Sequence, residues 1–253
     1  MIWGEHDGVL TEIFRKYDRL YEWDAMFAHQ LETFRNDGFN NFIPNMIPPA
    51  ATIRASQRAI LDTLYRDPAR QLGRDIWGFK EVLYDAEMAL RLRGLYPDMR
   101  VIYITRHPFG AFTSLLHEER LRPAQVNIPL KDIWTREKTI RWLEVWAHIN
   151  QSFLDHPAID ESWVFKLTYE GLIEDIPTVT GRMIDWLGLN RDAFDLGVFN
   201  HRIYTDRDNE QPDRRDQRPK IRWADLTAEE YRLMTQPHII ETAARLGYNI
   251  PTT

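Results

Sequence analysis

The stretch Arg100-Val101-Ile102-Tyr103-Ile104-Thr105 constrains the fold of this chain more than any other. Four consecutive apolar residues, rich in β-branched types, suit a strand covered by helices on both faces rather than one alternating between core and water. At Pro108 the pattern changes to a helical stretch that runs through Glu119. A buried strand leading directly into a helix is the repeating unit of an α/β protein with a parallel sheet.

Two further runs read as strands, Asp75-Ile76-Trp77-Gly78-Phe79 and Ser162-Trp163-Val164-Phe165-Lys166-Leu167. Between the first of these and Arg100 lies a helix near Tyr84 to Arg93. It is ended by Gly94, with Pro97 just beyond, which completes a strand, crossover helix, strand unit. Downstream, a long helix of about Trp134 to Leu154 places Trp142, Trp146, Ile149 and Phe153 at helical spacing, an apolar stripe that belongs in a core. A helix from about Pro177 ends at Gly188, and a last one spans about Thr227 to Leu246, with Thr227 and Glu230 forming a capping box. The N-terminal third reads as helices around Thr11 to Phe34 and Thr52 to Tyr65, separated by the turn-rich Asn36 to Pro49. The polar segment Asn200 to Lys220, with charges of both signs and two prolines, reads as a surface loop. The expected fold is therefore α/β and three-layered, with a central, mainly parallel sheet flanked by helices. A length of 253 residues suits one domain, 1–253, in which 200–222 covers a ligand.

Composition narrows the chemistry. The formal charge of −6 gives no general attraction to nucleic acid or an anionic membrane, so any polyanion must be held by a local cluster of basic groups. With no cysteine, thiol nucleophiles, disulfides and thiolate metal sites are excluded. The eight histidines are scattered without ligand spacing, and neither a Gly-x-Ser-x-Gly elbow nor a Walker lysine motif is present, so no metal is expected. No apolar run approaches a membrane span and the first residues lack the features of a signal peptide, so the expectation is a soluble, cytoplasmic protein.

Most of the chemistry lies in Thr105-Arg106-His107-Pro108-Phe109-Gly110-Ala111-Phe112-Thr113-Ser114. Ligands of open α/β sheets bind at the carboxyl ends of strands, where helix N-termini offer unpaired N–H groups to anions. Arg106 stands at such an end. Its guanidinium can grip a phosphate through two parallel hydrogen bonds, and Ser114, about two turns into the helix, can add a hydroxyl.

A strand, Arg-x-Pro and a serine eight residues after the arginine resemble the 3'-phosphate-binding motif of sulfotransferases that use 3'-phosphoadenosine 5'-phosphosulfate (PAPS). The likeness continues through Lys166-Leu167-Thr168-Tyr169-Glu170-Gly171-Leu172 and Trp186-Leu187-Gly188. It also takes in Asp216-Gln217-Arg218-Pro219-Lys220 and Leu246-Gly247-Tyr248, which are similar to segments of the tyrosylprotein branch. The resemblance implies that Arg106 and Ser114 hold the 3'-phosphate, that Arg218 and Lys220 fold over the nucleotide, and that Lys80 neutralises charge on the leaving phosphate. Trp223 would either pack that segment onto the core or stack on the adenine. Gly4-Glu5-His6-Asp7 is similar to the segment that carries the general base in that branch, which makes His6 the first candidate base, Glu5 the next and Glu81 a third. The implied reaction moves a sulfuryl group from PAPS to a hydroxyl or amine of a small-molecule, carbohydrate or peptide acceptor, leaving adenosine 3',5'-bisphosphate.

In one respect the chain departs from the family. The Gly-, Ser- and Thr-rich turn that cradles the 5'-phosphosulfate is missing, so the expectation is a sequence that begins after that turn. A truncated or non-catalytic relative, acting as a nucleotide-binding or interaction module, is the alternative reading. A kinase-like enzyme is a third and less well supported one.

Overall fold

The structure is a computed structural model describing residues 1–6, 8–38, 46–121, 136–194 and 227–250, with 115–121 described as backbone only. It divides into two compact units, Met1–Met99 and Arg100–Thr253.

In the first unit, β1 (Ile2–Trp3) pairs in parallel with β2 (Gly78–Phe79), Trp3 opposite Phe79. Two residues are too few to show periodicity, so β1 was invisible in the sequence, and β2 is only the last part of the run expected from Asp75. The chain then turns at Gly8, whose φ of 70° is left-handed, into α1 (Val9–Asp37). A helix α2 (Ala50–Leu61) continues through a wider π-type turn, Asp62–Arg66, into α3 (Asp67–Gln71), so the helical rod outlasts its expected end at Tyr65. The crossover helix α4 (Ala86–Leu95) is N-capped by Asp85, whose carboxylate accepts from the Met88 amide at 2.9 Å. It runs through Gly94 rather than ending there. Its apolar face, Met88, Leu92 and Leu95, packs with Leu10 and Phe14 of α1 and Leu61 of α2 to form the core of this unit.

In the second unit, β3 (Val101–Thr105) and β4 (Val164–Thr168) pair in parallel along their full length, from Val101 opposite Val164 to Thr105 opposite Thr168. Tyr103 and Thr105 are buried, whereas Ile102 and Ile104 are nearly half exposed. The apolar run thus packs on one face, contrary to the two-sided burial expected, because an unbroken apolar sequence cannot itself say which side is covered. Helix α5 (Pro108–Leu121) follows β3, and α6 (Arg136–Asp155) supplies Leu143, Trp146 and Ala147 to the core. Phe153 of the same helix stacks on Tyr103 at 4.2 Å between centroids.

After β4, a short α7 (Tyr169–Glu174) is capped by the Thr168 hydroxyl. Asp175 then caps α8 (Ile176–Leu187), which ends at the left-handed Gly188 as expected. The final helix is two helices, α9 (Ala228–Met234) and α10 (Pro237–Arg245). Pro237 has no N–H to continue α9, so it opens a new helix instead, its ring compatible with the first turn. The Thr227–Glu230 capping box is present in full. Phe112 of α5, Leu233 and Met234 of α9, Ile239 and Ala243 of α10, and Ile250 complete this core. No described helix is long and apolar enough to cross a membrane. All of the Asn200–Arg222 loop and part of the Asn36–Pro49 segment lie outside the described residues.

Candidate functional site

Parallel pairing sets the carboxyl ends of β3 and β4 side by side, so the residues that follow them, Arg106 and Tyr169, meet. The Arg106 guanidinium carbon lies 4.2 Å from the centre of the Tyr169 ring, a cation–π contact that holds the planar group flat against the aromatic face. Its carbonyl accepts from the Trp146 indole N–H at 3.3 Å, which ties the strand end to α6. Among the described residues, no carboxylate lies within ion-pair range of Arg106.

Glu170, at the same strand end, is engaged elsewhere. Its Oε1 accepts from the His107 amide at 3.0 Å and its Oε2 from the Tyr248 hydroxyl at 2.9 Å. Tyr248 also contacts the Thr105 hydroxyl at 3.3 Å. Burial is the main cause that raises the Tyr248 phenol above its ordinary range. The Thr105 contact works in the other direction, and the bond to Glu170 adds to the rise. Tyr248 therefore remains a donor at neutral pH. The His107 ring is fixed as well. Nδ1 accepts from the Phe109 amide at 3.2 Å, and Nε2 lies 3.2 Å from the Asn249 carbonyl, so the ring proton belongs on Nε2.

Ser114 stands on α5 one turn beyond Gly110, on the same helix face. A Cβ placed on Gly110 would lie 3.4 Å from Arg106 Nε, so the arginine side chain runs along the start of the face on which Ser114 stands. The Arg106 side chain thus lies against Gly110 at the start of α5, and Ser114 stands one turn further along the same helix face. Arg218 and Lys220, with Trp223, lie outside the described residues.

The other sequence-predicted residues gather in the first unit, at the carboxyl ends of β1 and β2. Glu5 and Lys80, just beyond Trp3 and Phe79, form an exposed ion pair. His6 turns inward among the rings of Tyr65, Phe79 and Tyr84. Its Nε2 is 3.1 Å from the Tyr84 hydroxyl, and burial, reinforced by the charge of Glu81, raises that phenol far above its usual range. His6 Nδ1 is 3.1 Å from Glu81 Oε2, but the alignment falls short of a hydrogen bond, which makes this an electrostatic contact. Glu81 has a structural task. Its side chain is only 2% exposed, with Oε2 accepting from Gly8 N at 3.0 Å and Oε1 from Val82 N at 2.8 Å and Leu83 N at 3.2 Å.

Among the described residues no group of three or more potential ligands could hold a metal ion. Sequence reading passed over Tyr169, Glu170 and Tyr248 as site residues. The first two were findable, because they follow a strand as Arg106 follows its own. Tyr248 had a weaker signal, the glycine before it that ends a helix.

A model of the sulfotransferase family matches residues 9–193, well over half of the chain. The chain belongs to the sulfotransferase family. The matched span includes Lys80, Arg106, Ser114 and the Tyr169-Glu170 pair. No curated protein matches this sulfotransferase-family chain by sequence. Among solved structures it is similar to the sulfotransferase domain from the curacin biosynthetic pathway, with TM-score 0.45 and 14% identity over 88% of this chain and 79% of that one. It is also similar to the sulfotransferase domain from the Synechococcus PCC 7002 olefin synthase, with TM-score 0.47 and 14% identity over 99% of this chain and 95% of that one. Similarity at this level carries no residue correspondence.

Proposed function

We propose that this protein transfers the sulfuryl group of PAPS to a hydroxyl or amine of a small-molecule, carbohydrate or peptide acceptor, and that Arg106 and Ser114 hold the 3'-phosphate of the donor. One observation carries the reading. Arg106 presents a guanidinium oriented by an aromatic ring at the end of a parallel strand, beside a helix start, with no carboxylate among the described residues to neutralise it. A cation held in this way is suited to a doubly charged phosphate, which it can meet with two parallel hydrogen bonds.

In the reaction the acceptor oxygen or nitrogen attacks sulfur, the bond from sulfur to the bridging phosphate oxygen breaks, and a base takes the acceptor proton. The bisphosphate leaves. Lys80 is the proposed source of positive charge for the leaving phosphate. For the base, His6 must first part from Tyr84, and Glu5 must first release Lys80. Arg218 and Lys220 are proposed to cover the nucleotide.

Calorimetry with adenosine 3',5'-bisphosphate tests the binding step. Wild-type protein should bind, Arg106→Ala should lose on the order of a hundredfold in affinity, and Ser114→Ala on the order of tenfold. Undiminished binding by both variants refutes the assignment. Transfer of label from labelled PAPS then separates an enzyme from a protein that only binds the nucleotide.

A further inference from the structure

The second unit contains a carboxylate close to Arg106 that does not neutralise it. A methyl group on Gly110 would sit 3.4 Å from Arg106 Nε and 3.9 Å from Glu170 Oε1, so the cation and the carboxylate border the same point. Glu170 is the residue next to Tyr169, on which Arg106 stacks. Left to itself, a carboxylate here would turn toward the guanidinium, since a charge-assisted pair is stronger than a bond to a neutral donor. Its two oxygens are held instead, one by the His107 amide and the other by the Tyr248 hydroxyl.

The donor to Oε2 is brought from far along the chain. Helix α10 ends in a Schellman turn, in which Tyr248 N donates to Ala243 O at 2.8 Å and Gly247 N to Ala244 O at 3.0 Å, with Gly247 left-handed at φ 84°. That turn reverses the chain, and Tyr248 reaches both Thr105 and Glu170. The neighbouring Asn249 carbonyl meets the His107 ring. The end of the described chain is thereby latched to the two strand ends that carry the candidate site.

We infer that Tyr248 is a positioning residue for the anion site, and that its hydroxyl restrains Glu170 from pairing with Arg106 so that the guanidinium stays available to phosphate. The inference rests on the reading of Arg106 as the phosphate ligand. It goes further in assigning a role to a tyrosine whose hydroxyl bonds to Thr105 and Glu170.

Removal of the hydroxyl and then of the competing charge distinguishes this role from a merely structural one. Calorimetry with adenosine 3',5'-bisphosphate on the full chain should show Tyr248→Phe weakened on the order of tenfold, because Glu170, released at Oε2, now competes for Arg106. The double variant Tyr248→Phe with Glu170→Gln should return to within about twofold of wild type, since the amide can still accept from His107 N but carries no charge. Glu170→Gln alone should bind at least as tightly as wild type. Binding by Tyr248→Phe equal to wild type overturns the inference, and so does a double variant as weak as the single one. If Tyr248→Phe fails to fold by circular dichroism, Glu170→Gln decides, and weaker binding than wild type overturns the inference. Absence of binding by the wild type removes the functional reading itself and this inference with it. Wild-type binding that is lost in Arg106→Ala but unchanged in Tyr248→Phe removes the inference alone.

Discussion

Replacing Glu81 should destabilise the first unit, and the size of the effect follows from counting donors. The carboxylate is nearly fully buried and accepts from three backbone amides, Gly8 on Oε2 and Val82 and Leu83 on Oε1. Hydrogen bonds to a charged acceptor contribute about 1.5–3 kcal/mol where shielded and less where solvent can replace them. The Gly8 bond is the shielded one, and the other two lie at the surface. Glu81→Ala should therefore cost about 3 kcal/mol. Glu81→Gln is the sharper test, because an amide has one oxygen. Turned toward Gly8, it opposes its NH₂ to the Val82 and Leu83 amides; turned the other way, it opposes Gly8. One side always sets donor against donor, and about 1–2 kcal/mol should be lost. The chain divides into two units, so a single global transition need not report on this site. Urea unfolding followed by tryptophan fluorescence should accordingly be paired with hydrogen exchange on peptides covering Gly8 and Val82. Wild-type unfolding and wild-type protection in Glu81→Gln would refute the reasoning.

Two other substitutions or titrations probe the packing. Trp163 is 2% exposed and donates its indole N–H to the Ala158 carbonyl at 2.9 Å; Trp163→Ala should cost about 3–5 kcal/mol by chemical denaturation, and a loss under 1 kcal/mol would show that the site is not a core position. Tyr65, Tyr84, Tyr96, Tyr103 and Tyr248 all have phenols raised above the ordinary value near 10, in each case chiefly by burial. A folded-state value above the unfolded one means stability that is complete below about pH 10 and falls as pH rises beyond it, because only the unfolded chain can then release those protons. Absorbance at 295 nm and far-ultraviolet ellipticity should therefore change together in alkali. Ionisation of every tyrosine near pH 10 with ellipticity unchanged would contradict it.

Elements defined by local signals were legible in the residues themselves. The strand Val101–Thr105 announces itself by its apolar run, α8 by the glycine at its end, and α9 by the Thr227–Glu230 box, because each of these acts over a few residues. The same reasoning missed β1, which is a strand only because Gly78–Phe79 lies beside it, some seventy-five residues away in sequence. It also carried the last helix across Pro237, where apolar periodicity continues through a position that cannot donate to the preceding turn. For the candidate site, Arg106 and Ser114 were visible as a strand-end cation and a helix hydroxyl. The sequence leaves Glu81 open as a base, and only its three amide partners show what its carboxylate holds.

The sequence by itself determined that a guanidinium follows a parallel-type strand and opens a helix, since chain order fixes both neighbours. Only the tertiary structure decided what that guanidinium meets. Parallel pairing, whose partners are separated by a long crossover, put Tyr169 beneath it, and the turn after α10 brought Tyr248 to occupy Glu170. Such contacts arise from the packing of distant elements, and no pattern confined to a few neighbouring residues encodes them.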